Sequence, residues 1–294
     1  MRSAKCGVRS KKVIAVFLVL FVWTGTAFAA QDQQIQQKLA ALEKIEGQFN
    51  FVVIGDNRSG DDVYKKLAIM TMALRPDFVV NTGDLIQTPG DKKDWAKFWD
   101  LSKVITVPYF LTVGNHDAHH LVPFSEKIYK EQVDQPGNEL YYSFTAGNSL
   151  FVVLDSFIDD EEKMITGDQM KWLEGVLARS DKKHKFVFLH HPLFTEPRKG
   201  HHAGDCLDKN PEQRDKLEAL FVKAKVDAVY AGHEHFYQRK TVDGITHVIT
   251  GGGGAPMYLK DEDGGFYHFI HVTVDGDKVS AEVIDGNGKI RDTF

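Results

Sequence analysis

Cysteine is nearly absent: Cys6 and Cys206 are the two in a chain of 294 residues. Cys6 falls in a leader expected to be removed, so no intramolecular disulfide can form. The fold must then rest on a large apolar core. Basic residues are in deficit, with 36 Lys and Arg against 41 Asp and Glu. The leader takes five of those bases and no acid with it. The acidic remainder argues against a nucleic-acid polymer or an anionic membrane surface as partner. Long apolar runs are also missing. Val13–Trp23 falls well short of the roughly 20 residues a membrane-spanning helix needs. It follows Arg2, Lys5, Arg9, Lys11 and Lys12 and precedes Ala27-Phe28-Ala29. These are the three parts of a cleavable signal peptide over residues 1–29, which predicts a periplasmic or secreted protein with no stable membrane anchor. An uncleaved anchor is the alternative. Cys6 precedes the apolar run, so it cannot be the lipid-bearing first residue of a lipoprotein. No low-complexity tract, repeat or Pro/Gly/Ser-rich linker divides what remains. About 265 residues suffice for one core.

What is present is a lead-in and then a repeated pattern. Residues 30–48 carry Ile35, Leu39, Leu42 and Ile45 at helical spacing, an amphipathic helix packing on the core or a mobile lead-in. From residue 49 to 294, apolar runs end in residues able to bind metal. Phe49–Ile54 ends in Gly55-Asp56-Asn57-Arg58, and Phe78-Val79-Val80 in Asn81-Thr82-Gly83-Asp84. Val107–Val113 ends in Gly114-Asn115-His116-Asp117 and Phe186–Leu189 in His190-His191-Pro192. Ala228–Ala231 ends in Gly232-His233-Glu234-His235. Helical spacing follows Asp61 and Asp94, which implies βαβ units with ligands at the carboxyl ends of the strands. An Asp after a strand is commonly a turn residue or a helix cap. Turn chemistry does not ask for His and Asn at fixed places in succession. Carboxylates, a neutral amide oxygen and imidazoles, without thiolates, exceed the donor set of a single catalytic zinc. They suit two divalent ions clamping a displacement at phosphorus.

GD, GD, GNHD, HHP and GHEH, in that order, resemble the motifs of the calcineurin-like metallophosphoesterase superfamily. GHEHFYQR is similar to the GHxHxYxR of purple acid phosphatases, without the extra N-terminal β domain of the plant and mammalian enzymes. The resemblance implies a four-layer α/β/β/α sandwich of two mixed β-sheets flanked by helices. It also implies two divalent or trivalent ions, Mn, Fe or Zn. Asp56 and His235 would bind metal 1, Asp84 would bridge, and Asn115, His190 and His233 would bind metal 2. A metal-bound hydroxide would attack a small phosphate mono- or diester. His116 would be the general acid, with Asp117 orienting its ring.

The chain departs from the pattern in two places. Most of the superfamily has Asp-x-His in the first motif, where Arg58 stands here, and Arg has no lone pair for a cation. The Tyr that purple acid phosphatases place three residues after the bridging Asp is Gln87. Metal 1 is left with Asp56, Asp84 and His235, with Gln87 or Asn57 as candidate fourth donors, so it is predicted to be weaker and without a purple colour. Arg58 is either a bidentate clamp on substrate phosphate or a structural surface residue. His191 is expected to pack beside the site, not to ligate. Glu196–Asp208 is expected to cover the site, with His201 or His202 touching substrate. Cys206 is expected to be a buried small residue, and Gly251–Gly254 a sharp turn beneath the site. The alternative function is a non-catalytic relative that binds metal or phosphate ligands.

Overall fold

A computed structural model describes residues 32–157, 163–195 and 205–294. The expected signal peptide, His201 and His202 lie outside these residues. The first half contains α1 (Ile35–Leu42), β1 (Phe49–Ile54), α2 (Asp61–Ala73), β2 (Phe78–Asn81), α3 (Lys92–Ser102), β3 (Tyr109–Leu111) and α4 (Ser125–Gln132). β4 (Tyr142–Ala146), β5 (Ser149–Val153), α5 (Gly167–Arg179), β6 (His184–Leu189), α6 (Pro211–Ala224) and β7 (Ala228–Ala231) follow. The chain closes with β8 (Tyr237–Val242), β9 (Ile245–Thr250), β10 (His268–Asp275), β11 (Lys278–Asp285) and β12 (Ile290–Thr293).

The strands form two six-stranded sheets, β12-β11-β10-β1-β2-β3 and β4-β5-β6-β7-β9-β8. Alternation along β1 explains the layering. Phe51 and Val53 face the other sheet, in one cluster with Phe78, Phe110, Phe144, Phe151 and Phe186. Val52 and Ile54 face away, against Tyr64 and Leu67 of α2 and Trp95 and Phe98 of α3. Helices α5 and α6 cover the outer face of the second sheet through Leu173, Leu177, Leu217 and Phe221. The result is α/β/β/α, as expected, because strands with both faces buried read as continuous apolar runs. Between the sheets, Phe51 stacks on Phe78 at 5.2 Å and meets Phe151 edge-on at 5.2 Å. This aromatic seam holds the two sheets in register.

β1, β2 and β3 are parallel neighbours, and so are β5, β6, β7 and β9. Their carboxyl ends therefore emerge along one rim, and each motif loop starts there. Helix α1 is docked: Lys38, fully buried, pairs with Asp32 at 2.7 Å, and Asp134 accepts the Ile35 amide at 3.0 Å. Helix α3 starts before Asp94 because the Asp91 carboxylate caps the amides of Lys93 and Asp94.

Candidate metal centre

Three of the five motif loops make a turn that ordinary side chains avoid. Asp56, Asp84 and His233 have φ of 55°, 57° and 69°, a left-handed region costly for non-glycine residues and typical of functional sites. The glycines around them are there for space. A Cβ on Gly114 would strike the Asp84 amide, and one on Gly232 would strike the Asp56 carboxylate. Backbone bonds then lace the loops together: Asp56 N donates to Gly83 O at 2.9 Å and Gly232 N to His190 O at 3.0 Å. Gly251–Gly254 lets the end of β9 pass close beneath, with Gly253 N bonded to Gly55 O at 2.8 Å.

The donors converge in two overlapping groups. Asn115 Oδ1 lies 3.0 Å from His190 Nε2 and 3.0 Å from His233 Nδ1, and Asp84 Oδ1 lies 3.3 Å from His190 Nε2. On the other side, Asp56, Asp84 and His235 bring their donor atoms within 4.8 Å of one another. Ligands about 2.1 Å from one ion stand roughly 3.0–3.4 Å apart, so the first group has the spacing of an ion's shell, and the second is looser, with His235 Nε2 3.6 Å from Asp56 Oδ1. Asp84 belongs to both. All six predicted metal residues are thus brought together. His190, His191 and His233 also cluster, with His191 Nδ1 held by Ser156 Oγ at 2.9 Å.

Hydrogen bonds on the far side of the rings fix which nitrogen faces inward. His190 Nδ1–H donates to Thr82 O at 2.9 Å, and His235 Nδ1–H donates to Pro256 O at 2.9 Å. Their Nε2 lone pairs therefore point at carboxylate oxygens, His235 Nε2 being 3.6 Å from Asp56 Oδ1. Carbonyl anchoring of this kind is how metal-binding histidines are oriented. Burial lowers the His190 pKa, and burial with the Arg58 charge takes His235 down to about 4. Burial pushes Asp84 up, but its facing partners His190, His116 and Arg58 outweigh it and hold the carboxyl low. Asp56 is pushed well up by burial and then by Asp84. Neutral imidazoles facing crowded carboxylates make a cation site, so these residues fit the metals implied by the resemblance.

Three expected roles change. Asp117 does not orient His116. Its carboxylate accepts the amides of Asp84 (2.9 Å), Leu85 (2.7 Å), Ile86 (3.2 Å) and Gly114 (2.8 Å), tying the loop after β2 to the loop after β3. His116 Nδ1 instead lies 2.6 Å from Gln87 O. Arg58 is partly buried and already paired: Nε donates to Asp84 Oδ2 at 3.0 Å and Nη1 to Gln87 Oε1 at 3.0 Å. The candidate fourth donors are engaged elsewhere. Gln87 Oε1 accepts from Arg58 and Ser59, and Asn57 bonds Leu85 O and Asn81.

One residue was missed. Tyr258 stacks on His235 with ring centroids 4.1 Å apart, its hydroxyl 3.4 Å from Nε2. The only signal was its position just after the glycine run. His119 and His120 stack on each other at 4.7 Å and, with Phe157, line a cavity of about 550 Å³. Cys206 is buried.

The model of the calcineurin-like phosphoesterase family matches residues 49–237. The chain belongs to that family. The serine/threonine-protein phosphatase CPPED1 of Rattus norvegicus is 30% identical over 65% of this chain and 63% of its own length. A phosphoenolpyruvate phosphatase of Allium cepa is 27% identical, over 75% of this chain and 49% of its own. The chain therefore spans less than two thirds of these relatives. Among solved structures, the yellow lupin purple acid phosphatase PPD1 superposes with a TM-score of 0.70 at 20% identity, covering 85% of this chain and 53% of that one. A dimetal phosphatase from Danio rerio gives 0.61 at 15% identity, covering 81% and 96%. These likenesses support the sandwich fold.

Proposed function

We propose that this protein is an exported metal-dependent phosphoesterase acting on small phosphate mono- or diesters. One observation carries the reading: imidazole nitrogens, an amide oxygen and two buried carboxylates face one another across about ion-sized gaps at the strand ends. Asp56 and His235 would hold metal 1, Asn115, His190 and His233 metal 2, and Asp84 both. Divalent ions bound there bring the pKa of water to about 7 and polarise phosphoryl oxygens.

The chain's own residues supply the rest. His116 Nδ1–H is spent on Gln87 O, which leaves Nε2 to exchange a proton with the departing alkoxide. Its amide, bonded to Asp84 Oδ1 at 3.0 Å, fixes the ring's origin relative to the bridging carboxylate. Asp117 fixes both loops from beneath. His119, His120 and Phe157 offer flat walls for the organic part of the ester. The leader and the absence, among the described residues, of a helix long and apolar enough to cross a membrane are consistent with export.

The test is hydrolysis of aryl phosphates by the mature chain supplied with Mn²⁺, Fe²⁺ or Zn²⁺. Turnover that a chelator abolishes is expected. Folded, metal-loaded protein that turns over nothing would favour a second reading, a phosphate-ligand binder, to which the Arg58 contact with Asp84 lends support.

A further inference from the structure

We infer that the Arg58 guanidinium is a built-in cation on the metal 1 side of the site, so that the protein holds one ion tightly and a second only weakly. The inference rests on the two-metal reading above and divides its two positions. The tight ion belongs to Asp84, Asn115, His190 and His233, and the weak one to Asp56, Asp84 and His235.

The division starts at Asp84. Its two oxygens do different jobs: Oδ1 faces His190 Nε2 at 3.3 Å, while Oδ2 accepts Arg58 Nε at 3.0 Å. The carboxylate is 1% exposed and the Arg58 side chain 13%, so water screens this pair poorly. Arg58 is also anchored. Its amide donates to Asp84 O at 3.2 Å, and Nη1 donates to Gln87 Oε1 at 3.0 Å. Gln87 Oε1 accepts from Ser59 as well, which closes a small polar ring around the guanidinium. A second ion at Asp56, Asp84 and His235 must share the Asp84 carboxylate with this guanidinium. It must also sit beside a charge that cannot be titrated away.

The metal 2 group shares Asp84 too, but through Oδ1, the oxygen that Arg58 Nε does not hold. Asn115 Oδ1 accepts no fixed cation, and His190 Nε2 and His233 Nδ1 each approach it at 3.0 Å. Arg58 thus neutralises the bridging carboxylate when the metal 1 position is empty and competes when an ion arrives. Two-ion occupancy becomes dependent on metal concentration.

The experiment uses the mature chain, stripped by chelator and titrated calorimetrically with Mn²⁺ and separately with Zn²⁺. Metal is then counted after desalting. One retained ion per chain is expected, with a second dissociation constant at least tenfold weaker. Arg58→Gln, similar in reach without the charge, should tighten that second step at least tenfold. Arg58→Lys should leave it weak. Two equally tight ions in the wild-type protein, or an unchanged second step in Arg58→Gln, would overturn the inference. The wild-type titration decides this whatever the stability of the variants. Failure of the wild-type protein to bind any ion would remove the two-metal reading itself, and this inference with it.

Discussion

Asp117 Oδ2 accepts the backbone amide of Asp84 at 2.9 Å. The Asp117 carboxylate thus holds Asp84 in its left-handed turn. Three further amides bond the same side chain. Removing it would leave four buried donors without an acceptor, each worth about 1–3 kcal/mol if unsatisfied. Asp117→Ala is therefore expected to lower unfolding free energy by roughly 3 kcal/mol or more, and to weaken metal binding in step. Urea denaturation of the metal-free protein measures the first effect alone. A variant of wild-type stability that lost only rate would restore the ring-orienting role.

His116 separates catalysis from assembly. Its ring is tied to Gln87 O and only its amide touches Asp84. His116→Ala should keep the wild-type metal count and lose roughly 10²–10⁴ in kcat on esters with poor leaving groups. The deficit should shrink on aryl esters whose leaving group needs no proton. Equal losses across a leaving-group series would show that the ring acts otherwise.

Asp84 is common to both donor groups, so Asp84→Asn should empty both. Elemental analysis after desalting is expected to fall to background, while circular dichroism keeps its native shape. Asn115→Ala should instead cost the tightly held ion first, since its Oδ1 lies 3.0 Å from both His190 and His233. Retained stoichiometry in Asp84→Asn would remove it from the bridging position.

The strands and the donor set were legible because they follow local rules. Phe51 and Val53 alternate with Val52 and Ile54, and four of the five motifs close an apolar run with a glycine beside it. What stayed hidden depends on contacts between loops far apart in the chain. Arg58 meets Asp84 across 26 positions, and Tyr258 lies over His235 across 23. Neither contact has a spacing that a sequence pattern marks. The edge strands β8 and β12 were hidden for another reason. Their exposed, polar faces lack the apolar alternation by which buried strands are recognised. Helix α5, with Leu173 and Leu177 buried one turn apart, did carry helical spacing and was readable in principle.

His268 gives a pH prediction that does not involve the metal donors. It is fully buried, bonds Phe266 O at 2.8 Å, and faces Thr250 Oγ1 at 3.1 Å. Burial takes its pKa from 6.5 down to about 4. A depressed folded-state value means the unfolded chain takes up the proton first as pH falls. The contribution to stability is thus intact above 6.5 and is lost progressively between 6.5 and about 4. It amounts to about 3 kcal/mol when complete. Urea unfolding of chelated protein across that window should show the loss. His268→Gln, which cannot titrate, should be less stable at neutral pH yet lose less on acidification. Parallel wild-type and variant profiles would mean that the acid sensitivity arises elsewhere, as at His190 and His235, which are also buried imidazoles with depressed values.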